Sequence, residues 1–147
     1  MRVKDVVFRG ATGAHRFIFR ASRGRLLGRA GGMPVVLLTT TGRRTGKKRS
    51  TMLTSPVSDD GRVVLVASYG GDARHPAWFL NLRAHPDVTV TMAGAERRMR
   101  ARVAPDAEKA ALWPSIVAAY DGYGAYQRRT DRDIPVVVLE PYAGGQR

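Results

Sequence analysis

The stretch Thr51-Met52-Leu53-Thr54-Ser55-Pro56-Val57-Ser58-Asp59-Asp60-Gly61-Arg62-Val63-Val64-Leu65-Val66-Ala67-Ser68 decides the fold class. Residues 51–57 and 62–68 read as strands, and Asp59-Asp60-Gly61 between them is a hairpin signal, because Asp-Gly tolerates the positive φ of a tight turn. Working outward, residues 34–41 form a strand before this hairpin. Residues 87–93 and 97–103 form a second pair around Ala93-Gly94-Ala95, and Pro135 to Glu140 closes the set. In 97–103, Arg98, Arg100 and Arg102 alternate with Met99, Ala101 and Val103, which predicts one solvated and one buried face. Two helices interrupt the strands. Pro76 to His85 starts with proline in its first turn, where the missing donor costs little. Pro105-Asp106-Ala107-Glu108 opens a second helix towards Tyr120, with Pro114 expected to bend it. The reading is mainly β with α (α+β): an antiparallel barrel of about six strands with helices packed outside it.

Residues 2–21 place Val3, Val7, Ala11, Ala14, Ile18 and Ala21 at helical spacing, with arginines at 2, 9, 16 and 20 elsewhere. This predicts a basic amphipathic helix that either packs on the barrel or lies on anionic lipid. Gly10 and Gly13 weaken it and favour packing. Gly24, Gly28, Gly31 and Gly32 then punctuate a linker, so residues 1–32 precede a main domain over 33–147.

At 147 residues and 44% hydrophobic, the chain is long enough for one domain with a real core. Cysteine is absent, which excludes a disulfide framework, a thiol nucleophile and a thiolate metal site. No apolar run approaches the roughly 20 residues of a spanning helix, and no secretory signal opens the chain. A cytoplasmic protein is expected, with the N-terminal helix offering peripheral contact at the inner face of the cell membrane. The net charge of +13 points to a polyanionic partner: nucleic acid, anionic lipid or a charged small molecule.

That charge is concentrated. From Val6 to Ser58 there are eleven Arg and Lys residues and no Asp or Glu. Thr41-Gly42-Arg43-Arg44-Thr45-Gly46-Lys47-Lys48-Arg49-Ser50-Thr51 holds five cations in seven positions between two strands. Gly42 and Gly46 let the backbone turn and bring amide donors to a bound anion. The pattern is neither a Walker A motif nor a dinucleotide fingerprint. A second constellation leaves a strand at Ala67-Ser68-Tyr69-Gly70-Gly71-Asp72 and continues into Pro76-Ala77-Trp78-Phe79-Leu80-Asn81-Leu82, where a flat ligand could meet backbone and planar side chains, or ordinary helix packing could account for the pattern. A third sets Tyr120, Tyr123 and Tyr126 at three-residue spacing, on one helix face or in a looser turn around Gly122 and Gly124. His15, His75 and His85 lack metal-site spacing, and His75 and His85 read as loop residues before proline. No metal is expected. With no nucleophile elbow either, a bound cofactor would carry the hard chemistry.

Four segments in series resemble the deazaflavin (coenzyme F420)-dependent nitroreductase family, actinobacterial split β-barrel reductases. They are Leu37-Leu38-Thr39-Thr40-Thr41-Gly42-Arg43-Arg44-Thr45-Gly46, Val66-Ala67-Ser68, Pro76-Ala77-Trp78-Phe79-Leu80-Asn81-Leu82, and Leu112-Trp113-Pro114 through the tyrosines to Ile134-Pro135-Val136-Val137-Val138-Leu139-Glu140-Pro141. The resemblance implies a split barrel and hydride transfer from the reduced deazaflavin to a quinone or to an activated nitro or enone compound. It implies that Arg43, Arg44, Thr45, Arg49, Ser50 and Thr51 grip the phosphate and oligoglutamate tail. Met52, Leu53 and Thr54, Val66, Ala67, Ser68 and Tyr69, and Ala77, Trp78, Phe79, Leu80 and Asn81 would line the ring pocket, with Tyr123 also touching cofactor. Tyr120, Tyr123, Tyr126 and Ser68 would be the catalytic donors. Met52 stands where the family has proline, Thr54 where a prodrug-reducing member has tyrosine, and Tyr69 where it has lysine; these departures bear on the acceptor more than on the cofactor. Two alternatives stand beside this one: an FMN-binding reductase on the same barrel, and a basic nucleic-acid-binding barrel. Aromatics make up only 7% of the chain and none sits on the arginine-bearing strand, so no nucleic acid is expected.

Overall fold

The computed structural model describes residues 29–30, 32–59 and 61–142. The helix expected over 2–21 lies outside the described residues. The elements in chain order are β1 (Arg29–Ala30), β2 (Met33–Thr41), β3 (Lys48–Thr54), β4 (Val57–Asp59), β5 (Arg62–Val66), α1 (Ala77–Ala84), β6 (Asp87–Met92), β7 (Ala95–Val103), α2 (Asp106–Ala119), α3 (Gly122–Arg129) and β8 (Val136–Pro141). The strands pair antiparallel in the order β1-β2-β6-β7-β8-β5-β4, and β3 pairs with β2.

The run 51–57, expected as one strand, is two. Proline has no N–H to give a ladder, and the chain turns at Ser55-Pro56. Before the turn β3 pairs with β2; after it β4 pairs with β5, at the other end of the strand order. Ser55 sits at the junction, fully buried. Its N–H donates to the Pro34 carbonyl (2.9 Å), and its hydroxyl proton is shared between the carbonyls of Val57 and Val64, each 2.8 Å away. One bent segment therefore serves both sheet edges and closes a split barrel. With that split and the two-residue β1, the expected six strands become eight among the described residues.

Both predicted hairpins form. Asp59 pairs with Arg62 around Gly61, whose φ is +79°. Met92 pairs with Ala95 around Ala93 and Gly94, both at positive φ (+52° and +83°), as a two-residue primed turn requires. Inside the barrel Val36, Leu38, Leu65, Val137 and Leu139 meet Met99, with Phe79 and Leu82 of α1 packed against them. On the outer face Val64, Val66, Val136 and Val138 lie under Ile116 of α2 and Tyr123 of α3. Strands β5 and β8 are thus covered on both sides, which is why each reads as a continuous apolar run rather than an alternation.

Strand β7 alternates as predicted at Arg98, Met99, Arg100 and Ala101, but Val103 is 42% exposed where the strand ends before α2. Arg102 is half-buried and forks to Glu108 (2.5 Å) and Glu140 (2.9 Å), tying α2 to β7 and β8. Its guanidinium holds the Glu108 carboxyl below the usual range, so the tie is complete at neutral pH and is lost as pH falls through that lowered value. Helix α2 runs through Pro114 as a single element.

Candidate cofactor and active site

The loop between β2 and β3 is a closed turn. Gly42 N–H donates to the Lys47 carbonyl (2.8 Å), Gly46 N–H to the Gly42 carbonyl (2.9 Å), and Lys47 N–H to Thr45 Oγ1 (3.2 Å). A Cβ on Gly42 would stand 2.9 Å from Thr45 Oγ1, so the closure depends on glycine. The glycines therefore shape the loop, but the amides of Gly42, Arg43, Gly46 and Lys47 are engaged within the protein, contrary to the expectation that the loop aims amides at an anion. What it presents is charge. The side chains of Arg43, Arg44, Lys47, Lys48 and Arg49 are exposed, and none of them forms an ion pair among the described residues.

Asn81, on α1, fixes this loop. Its Oδ1 accepts from the Arg43 backbone N–H (3.1 Å) and from the Arg43 guanidinium (3.3 Å), while its Nδ2 donates to Thr40 Oγ1 (3.3 Å). The side chain is buried and its amide is committed on both ends, to Arg43 and to Thr40.

The register sorts the residues of β3. Arg49, Thr51 and Leu53 stand across from Thr40, Leu38 and Val36, on the face that looks into the barrel. Ser50, Met52 and Thr54 stand across from Thr39, Leu37 and Val35, on the opposite face. There Thr39 Oγ1 and Ser50 Oγ are hydrogen-bonded at 2.9 Å, and Met52 packs on Val35 and Leu37. Side chains expected to share one ligand thus fall into two sets, and a ligand on one face of β3 reaches only the strand's edge on the other.

The second set leads to the tyrosines. Thr54 Oγ1 is 3.0 Å from the Tyr123 hydroxyl. Tyr123 and Tyr126 project from α3, while Tyr120 precedes it in extended backbone, so only two of the three share a helix. The rings still cluster: Tyr120 meets Tyr123 edge-on at 5.3 Å between centroids, and the Tyr120 and Tyr126 hydroxyls are 3.3 Å apart. The Tyr120 ring folds over Gly122, where any Cβ would collide with it. Burial pushes the Tyr123 phenol above its ordinary pKa, and the hydrogen bond with Tyr120 pushes Tyr126 up. Both keep their protons at neutral pH.

The turn after β5 approaches this cluster from the other side. Ser68 is buried, Tyr69 is exposed with φ +47°, and Gly70 and Gly71 follow at +64° and +82°. A Cβ on Gly71 would come within 3.0 Å of the Tyr126 carbonyl, so the turn lies hard against α3. The Arg129 guanidinium donates to the Gly70 carbonyl at 3.2 Å. Val66, Ala67 and Phe79 give their side chains to the core, whereas Ala77 is exposed and Trp78 and Leu80 are half-buried at the core's edge.

Sequence reasoning missed Arg132. Its Nε donates to the Asp72 carbonyl (2.8 Å), one terminal nitrogen to the Ser68 carbonyl (2.7 Å), and the other lies 3.3 Å from Nδ1 of His75. In sequence it belongs to Arg128-Arg129-Thr130-Asp131-Arg132-Asp133, which reads as a solvated charge run. His75, read as an incidental loop residue, is its partner. Among the described residues no group of His, Asp and Glu could hold a metal ion, and no helix is long and apolar enough to cross a membrane.

The family model for F420H(2)-dependent quinone reductase matches residues 12–141. The F420H(2)-dependent quinone reductase of Mycobacterium tuberculosis strain H37Rv is 42% identical over 130 residues, covering 85% of this chain and 86% of its own. The one from strain CDC 1551 matches to the same extent. A solved F420-H2 dependent reductase, FDR-A, is similar with a TM-score of 0.67 at 42% identity, over 73% of this chain and 94% of that one. Matched in sequence over most of its length and in fold, the chain belongs to the F420H(2)-dependent quinone reductase family.

Proposed function

We propose that this protein passes hydride from reduced coenzyme F420 to a quinone, with the cofactor extended along β3 from the basic loop to the tyrosines. The observation that carries the placement is that one strand joins the two: Lys48, one of the loop's five cations, opens β3, and Thr54 ends it on Tyr123. At about 3.3 Å per residue that is roughly 20 Å, the scale of an extended ligand with a flat head and a long anionic tail. The donor set suits such a molecule, since five cations without acidic partners among the described residues exceed what a single phosphate requires.

When bound, the reduced deazaflavin supplies two electrons as hydride. The chain's part is binding and proton supply. Arg43, Arg44 and Thr45 meet the tail, with Arg49, Ser50 and Thr51 following along the strand. Met52 and Thr54, on the face of β3 that leads to the tyrosines, meet the ring together with Ser68 and Tyr69; Leu53, Val66, Ala67 and Ala77 to Leu80 act through backbone and shape, and Asn81 acts through Arg43. Quinone reduction builds negative charge on oxygen, and Tyr120, Tyr126 and Ser68 offer donors to that atom while Tyr123 holds Thr54. Activated nitro and enone compounds fit the same donors as secondary acceptors. The arginine-bearing segment 2–21 is our candidate for peripheral contact with anionic lipid, on its sequence pattern alone.

The test is a fluorescence titration with oxidised coenzyme F420, competed by FMN and by a short oligonucleotide, followed by oxidation of the reduced cofactor with a quinone series. Binding that weakens with salt and resists both competitors is expected. Displacement by FMN or the oligonucleotide, or no quinone turnover, would overturn the reading. Gly122→Ala sharpens it: the added methyl must move the Tyr120 ring, and kcat is expected to fall about tenfold or more with the thermal midpoint little changed. Undiminished kcat would remove Tyr120 from the reaction.

A further inference from the structure

We propose that Arg132 is a positioning residue for this reaction: through the Ser68 and Asp72 carbonyls and the imidazole of His75, it sets the turn that brings Ser68 and Tyr69 to the cofactor. The inference rests on the reading that these two residues border the ring. Its geometric basis is independent of that reading. Arg132 belongs to the segment between α3 and β8, yet it grips the turn at both ends, Ser68 and Asp72, with separate nitrogens of one planar guanidinium. Between those grips the backbone is left-handed at Tyr69, Gly70 and Gly71 in succession. A side-chain-bearing residue such as Tyr69 stays in that region only when its surroundings over-determine it. The grip from Arg132 and the close approach of Gly71 to α3 do so, and they also hold the turn at a set distance from Tyr126.

His75 completes the clamp and makes it sensitive to pH. A guanidinium only donates, so Nδ1, 3.3 Å from Arg132, must accept, which places the imidazole proton on Nε2 and leaves the ring neutral. The groups around the ring oppose a second proton. Arg132 faces it from the segment before β8 and Arg83 from α1, where Phe79 lies 4.9 Å from it ring to ring. On its own loop, the Asp72 carboxylate is engaged by Arg74. Burial first, then these two arginines, hold His75 below its ordinary pKa of 6.5. The clamp is therefore complete above that value and is lost as pH falls through the lowered one. Protonation removes the acceptor and sets two cations in contact.

The experiment measures coenzyme F420 Kd by fluorescence, and kcat and KM for a quinone, from pH 5 to 8. It compares the full chain with Arg132→Ala, Arg132→Lys, His75→Asn and, beside them, Arg43→Ala/Arg44→Ala. Both Arg132 variants are expected to raise Kd at least about tenfold at neutral pH, since lysine cannot span two carbonyls and an imidazole in one plane. The native protein is expected to lose affinity on the acid side. His75→Asn keeps an acceptor that does not titrate, so its acid-side loss should disappear. A folded Arg132→Ala protein with native Kd would overturn the proposal. If Arg132→Ala does not fold, the histidine arm decides, and an acid-side loss identical in native protein and His75→Asn would overturn it. Should the double arginine variant weaken binding while the Arg132 variants do not, only the clamp fails. Should none of them matter, the cofactor placement itself is wrong.

Discussion

Replacing Arg43 and Arg44 together by alanine is expected to weaken coenzyme F420 binding by about 2–4 kcal/mol, roughly 30- to 900-fold, at low salt. A charge-assisted hydrogen bond contributes about 1.5–3 kcal/mol, and neighbouring ones do not simply add. The two arginines are not equivalent. Arg43 is held by Asn81 through both its backbone and its guanidinium, so it meets a ligand with less freedom to lose; Arg44 is exposed without such an anchor. Arg43→Ala alone should therefore cost more than Arg44→Ala alone. Because the loop is exposed, the effect should shrink with salt as screening shortens to about 10 Å at 0.1 M. Titration of the double variant at two salt concentrations checks this, and a native Kd at low salt would refute the tail's placement on this loop.

Leu139→Ala is expected to destabilise the fold by about 2–5 kcal/mol. Leu139 is fully buried on β8, across from Val63 on one side and Ala101 on the other. Because β8 is paired along both edges and covered on both faces, its neighbours cannot easily collapse into the cavity, which favours the upper part of that range. Val103→Ala, at the exposed end of β7, should stay within about 0.5 kcal/mol. Denaturant midpoints at a constant slope measure both. A loss below about 1 kcal/mol at Leu139 would mean that the barrel interior is not tightly packed there.

What could be read in advance divides along physical lines. Both hairpins were legible because a turn's chemistry is carried by two adjacent residues, as at Ala93-Gly94. β8 was legible from its short-range composition and the two helices from the prolines at their starts, which the structure places at the N-cap, Pro76 and Pro105, rather than in the first turn. The break at Ser55-Pro56 was not, because strand-like residues continue on either side and the corner is made by bonds to Pro34 and Val64. At the site, the cations and the tyrosines stood out as clusters, and resemblance supplied the ligand. The alternation that sends Arg49 and Ser50 to opposite faces follows from strand geometry once β3 is known. Asn81 and Arg132 were misread or missed because their partners, Arg43 and Ser68, are 38 and 64 residues away. A polar side chain committed over such a distance looks the same in sequence as one left free.

The bent segment at Ser55 also divides the barrel's pairings into local and distant ones. The β2–β3 and β4–β5 hairpins close over short loops, although the first is fixed only when α1 brings Asn81 to Arg43. The ring is completed only when β8, from the far end of the chain, docks on β5, a search whose entropic cost grows with the intervening length. The Thr54–Tyr123 bond, which spans 69 residues, cannot form until that docking is done. Under the proposed placement of the cofactor, the tyrosine end of the site is therefore complete only once the two ends of the barrel have met.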